Sequence, residues 1–424
     1  MKLRKSFSIY TFVGFFGAGI GFFVMPILTH YLTPEDYGTL SLFNTYVMTL
    51  MPFIGIVATG LISLEYYNKN KTINDFRSLF SSISVIPIIP FVLFLIISIV
   101  FRNQLALLID IPSKYIFLIP VLAFLTIYME QTFNFLVITK NALTYGISNI
   151  SKVVLEVSLT LFFIIGLDMN WQGRIGSSLL AVSVFGIFSF FYFRSQKLLT
   201  TQIKKHHIKA GIAFGSPLVL HVIGKLVVNQ SDRIFIAKMI SLEEVGIYNS
   251  GYIIGTILLI ISGVFMKVYS PFLYERLADI TEKKKIEIVR FSYGFVAVLI
   301  AILLFITLAA PFFYEYFIDI KYIGGIKYVF WIGLSYLFWG GYLIFSGYVF
   351  YLQRTKILSI LSILNVVLNL GLNYLLIGEY GAIGAAYATA LSFFVILVCI
   401  IAISARIYPM PWLSFKKIVY GDAR

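Results

Sequence analysis

Lys152 and Glu156 stand four residues apart inside an apolar run, which places both on one face of a helix. His221, Lys225, Asn229 and Asp232 share a narrow stripe of a second apolar run at 100° per residue, with Arg233 beside it. Glu130 lies in a third run, close to Gln131 and Asn134, and Asn365, Asn369 and Asn373 form a ladder on one face of a fourth. Polar groups of this kind are costly in a hydrocarbon environment and commonly mark a pathway or a coupling site. The cations Lys152, Lys225 and Arg233, with His221, suit an anionic ligand, because ammonium points and guanidinium forks match phosphate. The acids Glu130, Glu156 and Asp232 are candidates for exchanging a proton or a sodium ion. A structural reading stands beside this one: Lys152 and Glu156 can satisfy each other, and asparagines commonly join helices in membranes. The residue types alone leave both open.

The chemistry that is missing narrows the field. His30, His206, His207 and His221 show no metal-ligand spacing, and Cys399 is the only cysteine, so no intramolecular disulfide exists. No nucleophile–base arrangement, phosphate-cradling loop or metal site is visible, so no catalytic residue, metal or cofactor is assigned.

The elements that carry these residues follow from hydropathy. With 59% hydrophobic and 12% charged residues, the chain cannot build a water-soluble surface over 424 residues. Runs of about 20 apolar residues, the length that spans a bilayer as a helix, fall near 6–31, 37–64, 78–101, 115–138, 144–167, 173–193, 210–237, 245–268, 290–313, 327–352, 356–377 and 383–405. The expected fold is therefore an all-α integral membrane protein of about twelve transmembrane helices. Measured from Lys140 and Lys209, Lys152 and His221 lie about 18 Å deep, and Lys225 about 24 Å, at the helical rise. Pro217, one turn before His221, is expected to kink or loosen its helix.

Charge distribution orients the spans. With the N-terminus on the cytoplasmic side, basic residues favour the cytoplasmic segments by about four to one, the outside loops keeping Arg102, Lys114, Arg174, Lys238, Lys321 and Lys327. The bias places both termini in the cytoplasm and accounts for most of the +14 net charge without a nucleic-acid partner. Lys283, Lys284 and Lys285 form a basic run suited either to anionic lipid headgroups or simply to solvent.

The halves of the chain repeat each other. Thr33-Pro34-Glu35-Asp36-Tyr37-Gly38 aligns with Ser241-Leu242-Glu243-Glu244-Val245-Gly246, and Gly173-Arg174-Ile175-Gly176 with Gly381-Ala382-Ile383-Gly384. Between them, Lys152-Val153-Val154-Leu155-Glu156 aligns with Asn365-Val366-Val367-Leu368-Asn369. Six spans per half is an even number, so the halves run parallel, as in transporters whose substrate site lies between repeats. The domains expected are a six-helix lobe over 1–200, a second over 207–408 and a tail over 409–424. Thr33 and Ser241 read as N-caps with an acid at the third helical position.

The stretches Asn229-Gln230-Ser231-Asp232-Arg233-Ile234 and Ser241-Leu242-Glu243-Glu244-Val245-Gly246-Ile247-Tyr248 resemble the seventh and eighth helices of Wzx-type O-antigen and polysaccharide flippases. So do Leu32-Thr33-Pro34-Glu35-Asp36-Tyr37-Gly38 and Gly381-Ala382-Ile383-Gly384-Ala385-Ala386, and the resemblance extends over the whole chain. It implies the MATE-like (MOP) exporter superfamily and a V-shaped bundle of two parallel six-helix lobes around a central cationic cavity. It implies a bacterial inner-membrane protein that moves an undecaprenyl-pyrophosphate-linked oligosaccharide, an O-antigen or other lipopolysaccharide-type repeat unit, to the periplasmic leaflet by alternating access. The partners implied are that glycan lipid, the membrane lipids and other proteins of polysaccharide assembly. Lys152, Lys225 and Arg233 would meet the pyrophosphate or acidic sugars. His221, Asn229, Asn365 and Asn369 would meet sugar hydroxyls, and Asp232 matches the family's acid beside arginine. The competing reading is a MATE-type cation-coupled drug antiporter, which favours an acidic cavity.

Overall fold

A computed structural model describes residues 13, 19, 24–68 and 72–412, and among these the only regular secondary structure is helical. Inside a bilayer no water satisfies backbone N–H and C=O groups, so an apolar chain that avoids closed barrels must be helical. Among the described residues, ten helices are long and apolar enough to cross a membrane, and the bent pair Pro34–Gly55 and Thr59–Tyr66 makes an eleventh when taken as one span. The spans expected from 78 onward each coincide with one of the ten. The first expected span, 6–31, falls largely outside the described residues, which show helix at 24–31. Only residues 409–412 of the expected tail are described.

The second span corrects the sequence expectation of one continuous helix over 37–64. Ile56 and Val57 adopt left-handed φ values of 49° and 50°, and the two helical pieces meet at a 56° bend. Left-handed backbone is a true outlier for β-branched residues, so the surroundings must hold it. Gly215 does so from the Lys205–Met239 helix: a Cβ there would stand 1.9 Å from the Ile56 carbonyl oxygen. The glycine lets the helix backbone press on the bend. Pro217 lies two residues on, inside a helix that stays unbroken for 35 residues.

The chain forms two compact units, Met1–Leu226 and Val227–Arg424. The division falls within the Lys205–Met239 helix, whereas the sequence places the lobe boundary in the preceding loop at 201–206. That loop is ordered by serines of the Ile73–Ser84 helix. Ser78 Oγ donates to the Gln202 carbonyl (2.7 Å), Ser81 Oγ accepts from Thr200 N–H (2.8 Å) and Ser82 Oγ from Lys204 N–H (3.0 Å).

The repeat motifs have local work to do. Thr33 Oγ1 accepts from Asp36 N–H at 3.1 Å and Ser241 Oγ from Glu244 N–H at 3.1 Å, which are the two expected N-caps. Gly381, at φ 69°, ends the Thr355–Tyr380 helix. Gly384 then crosses it so closely that a Cβ would lie 2.1 Å from the Leu376 carbonyl oxygen. In the other half, a Cβ on Gly173 would meet Met169 Cβ at 2.9 Å and Phe163 Cβ at 3.1 Å. The basic run is partly spent on neighbours. Lys284 Nζ bonds Asp279 at 2.8 Å, and Lys285 Nζ bonds Glu282 at 2.7 Å. The hydrogen bond from Lys284, and then its charge, hold the Asp279 carboxyl below its ordinary value.

The interiors of the two units differ. The tyrosines with less than 2% exposure, Tyr248, Tyr269, Tyr314, Tyr322, Tyr328, Tyr336 and Tyr348, all belong to the second unit, whereas Phe43, Phe80, Leu32 and Leu42 fill the first. In the second unit, the Leu242–Gly255 helix crosses the turn at Ile320–Gly325 at Gly251, where a Cβ would lie 2.2 Å from the Gly325 carbonyl oxygen. Gly251→Ala is expected to destabilise the protein by about 1–3 kcal/mol through overpacking. Gly263→Ala, with nothing within 4 Å of its Cβ, should be neutral or slightly stabilising through helix propensity. Thermal unfolding of the two variants in detergent compares them directly.

Candidate functional site

Two buried polar clusters contain most of the expected site residues, one in each unit.

In the second unit, Asp232 and Arg233 are 1% and 5% exposed. Neighbours on a helix diverge by 100°, yet Arg233 is long enough to fold back, and its Nη1 lies 3.3 Å from Asp232 Oδ1. Asp232 Oδ1 also accepts from the Arg233 N–H at 3.2 Å, and Oδ2 accepts from the Tyr248 hydroxyl. The guanidinium reaches further. Nε and Nη2 donate to Asn249 Oδ1 at 3.3 and 3.0 Å, Nη1 donates to the Asn229 carbonyl at 3.1 Å, and the carbon centre sits 4.1 Å from the Tyr252 ring centroid. Tyr252 bonds the Asn229 carbonyl at 3.2 Å and shares a hydroxyl–hydroxyl bond with Tyr336. The Leu242–Gly255 helix supplies Tyr248, Asn249 and Tyr252, and the Ile326–Tyr351 helix supplies Tyr336.

The asparagine ladder joins this cluster from the Thr355–Tyr380 helix. Asn369 Oδ1 accepts from Ser231 Oγ at 3.2 Å and from Asn373 Nδ2 at 3.1 Å. All three asparagines are buried. Asn365 Oδ1, Asn369 Nδ2 and Asn373 Oδ1 have no hydrogen-bond partner among the described residues. In this conformation Asn365 and Asn369 present no open surface to a sugar.

In the first unit, Lys152 and Glu156 pair across one turn at 2.5 Å, as their spacing implies. The pair has a third member. Arg174 Nη1 approaches Glu156 Oε1 at 2.7 Å, and Ser178 Oγ donates to the same oxygen at 2.9 Å. Arg174, assigned by charge counting to an outside loop, instead stands in the first turn of the Trp171–Ser195 helix with its side chain 22% exposed. Hydropathy starts that span near 173 and cannot tell a loop cation from one that turns inward. Directly after the Ala142–Leu161 helix, Phe162–Gly166 form a wider π-turn, a local insertion often found at functional sites. Gly173 packs on it and so brings Arg174 within reach of Glu156.

The remaining expected residues, His221, Lys225 and Glu130, are more exposed than the members of either cluster. His221 and Lys225 occupy stretches of the Lys205–Met239 helix not covered by the protein's own atoms. The expected stripe thus divides, with His221 and Lys225 exposed, Asn229 half-buried and Asp232 fully buried. Glu130 is exposed on the Leu118–Ile138 helix, within electrostatic reach of Lys152. No group of three or more His, Cys, Asp or Glu able to hold a metal occurs among the described residues. Tyr248, Tyr252 and Tyr336 were not legible as site residues among 28 tyrosines in an apolar chain, and Asn249 carried no sequence signal of its own.

Residues 3–275 match the family described as polysaccharide biosynthesis protein. The chain belongs to this family. Among its relatives is an uncharacterized membrane protein of Haemophilus influenzae, 25% identical over 387 residues, covering 88% of this chain and 89% of that one. Lsg locus putative protein 1 of the same organism is 24% identical over 383 residues, covering 87% and 90%. Solved structures show the same fold. An inward-facing multidrug resistance MATE family transporter of the MOP superfamily aligns with TM-score 0.73 at 13% identity over 95% of this chain and 96% of that one. An outward-facing MATE family transporter aligns with TM-score 0.64 at 15% identity over 95% of each. The protein is therefore a multi-pass membrane member of the polysaccharide biosynthesis family whose fold is like that of solved MATE family transporters.

The Asp232–Arg233 pair yields a direct prediction. Asp232→Ala leaves a guanidinium uncompensated inside the protein and is expected to lower stability by about 3–5 kcal/mol. Adding Arg233→Met should recover much of that loss, as thermal unfolding of the single and double variants will read.

Proposed function

We propose that this protein is a flippase that carries a polyprenyl-pyrophosphate-linked oligosaccharide, the repeat unit of a surface polysaccharide, from the cytoplasmic to the periplasmic leaflet. The observation that carries the reading is the family match across residues 3–275 in a chain whose fold is like that of solved MATE family transporters. The cations support it. Lys152, Arg174, Lys225 and Arg233 lie on helices that cross the membrane, and an anionic headgroup needs cations to leave the interface. Alternating access between repeats is the mechanism proposed, with the protein in the bacterial inner membrane, both termini cytoplasmic, and other polysaccharide-assembly proteins as its neighbours. Coupling to a proton or sodium ion is assigned to Asp232, Glu156 or Glu130, the acids at depth. A MATE-type drug antiporter is the second reading, favoured by the fold likeness alone.

Deletion of the gene in its native host, with complementation by wild type, Lys225→Ala and Asp232→Asn at matched membrane levels, separates the two. Loss of surface polysaccharide with lipid-linked units retained inside, restored by wild type and poorly by the variants, is the expected result. Unchanged polysaccharide with reduced drug tolerance would replace the flippase with the antiporter. The orientation has its own test. A fluorescent protein fused after Arg424 should fluoresce and alkaline phosphatase fused there should be inactive; active phosphatase would invert the topology.

A further inference from the structure

We infer that Glu156 occupies the place of a substrate anion, and that Lys152 and Arg174 form a pyrophosphate-binding site from which this carboxylate is displaced. The inference rests on the transport reading for its biological meaning and on the geometry of the first unit for its chemistry.

One carboxylate serves two cations here. Glu156 Oε2 lies 2.5 Å from Lys152 Nζ, and Oε1 lies 2.7 Å from Arg174 Nη1. Among the described residues, Arg174 Nη1 carries both the ion pair to Glu156 and the hydrogen bonds to Thr160 (3.1 Å), Ser177 (3.4 Å) and Ser178 (3.3 Å). Nη2 and Nε, the side-on edge that grips a phosphate bidentately, have no hydrogen-bond partner among the described residues. Lys152 Nζ makes one ion pair and holds three N–H groups. The side chains of Lys152 and Arg174 are 21% and 22% exposed, while that of Glu156 is 12% exposed. The carboxylate is thus the most buried member of the three, and the two cations are more exposed than it is.

The charge balance is local. Glu130 reaches Lys152 electrostatically from the Leu118–Ile138 helix, but no oxygen of Glu130 lies within 4 Å of a cationic nitrogen among the described residues. The triad itself carries one more positive than negative charge, which Glu130 offsets from a distance and no direct ion pair cancels, and such a surplus favours an added anion. A pyrophosphate oxygen placed on the Arg174 side-on edge and shared with Lys152 would neutralise that surplus. It would then compete with Glu156 for the same two cations. The site is therefore self-occupied when empty, and neutralising Glu156 should favour the ligand. The other half of the repeat lacks this device, since Asn365 and Asn369 replace Lys152 and Glu156, and Ala382 replaces Arg174.

The test is equilibrium binding to the full-length protein in lipid nanodiscs, using a polyprenyl pyrophosphate in the disc and inorganic pyrophosphate in the buffer as separate probes. Glu156→Gln is expected to bind about tenfold tighter than wild type, and Arg174→Lys and Lys152→Gln about tenfold weaker. The same ranking with inorganic pyrophosphate supports a site that reads the free anion, and the ranking with the lipid probe alone supports a site for a lipid-borne headgroup. Affinities unchanged in all three variants, or weaker binding by Glu156→Gln, would overturn the inference. Thermal unfolding of each variant checks the fold, and Glu156→Gln with Lys152→Gln decides the matter if Arg174→Lys does not fold. The expected ranking in a protein whose deletion leaves surface polysaccharide intact would refute the transport reading and leave the site standing. Unchanged affinities in variants of a protein whose deletion abolishes polysaccharide would refute the site alone.

Discussion

Arg233 lies within a helix that crosses the bilayer, where no bulk water is available to keep its guanidinium ionised. Its planar group must therefore bring its own solvation, and the protein assembles it from four sources: the Asp232 carboxylate, the Asn249 amide oxygen, the Asn229 carbonyl and the face of Tyr252. Those partners belong to two helices, and Tyr248, Tyr252 and Tyr336 in turn anchor to the acid, to the Asn229 carbonyl and to one another. The burial of one charge thereby sets the register of three helices in the second unit. The small residues at the helix crossings follow from the same need, because side chains this short of spare reach require close backbones. Gly251 against Gly325 is the clearest case.

The first unit meets the constraint differently. Its charged cluster is partly open, with two cations on one acid, and it sits beside a π-turn and a tight glycine contact rather than inside a web of phenols. The corresponding positions in the second half are the neutral Asn365 and Asn369, and Asn369 accepts hydrogen bonds from Ser231 and Asn373. The repeat has thus kept its helical scaffold, its caps and its glycine crossings, and has exchanged charge for amide at one equivalent place.

Much of the frame was legible because bilayer thickness is a strong filter: apolar runs from 78 onward each returned as a spanning helix. The caps at Thr33 and Ser241 were legible because capping is local chemistry. The Lys152–Glu156 pair was legible from its spacing. What escaped depends on information that no pattern of types carries. The bend at Ile56–Val57 is a backbone state that these β-branched residues disfavour, and it packs against a helix whose close approach Gly215, far along the chain, allows. Arg174 escaped because hydropathy marks where a span begins, not which way its first cation points. The helical stripe from His221 to Asp232 was correct as geometry on one helix. It did not foresee that burial changes along it, since burial is set by neighbours rather than by angle.

The concentration of deeply buried tyrosines in one half has an optical side. A phenol moved from a protein interior to water shifts its near-ultraviolet absorption, and only those that change surroundings contribute. Tyr248, Tyr269, Tyr314, Tyr322, Tyr328, Tyr336 and Tyr348 all lie beyond residue 226. The first unit adds buried Tyr37 and Trp171 to that signal, so difference absorbance during unfolding weights residues 227–424 more heavily without leaving the first unit silent. The protein thus carries, without any label, a tyrosine signal weighted toward its second half.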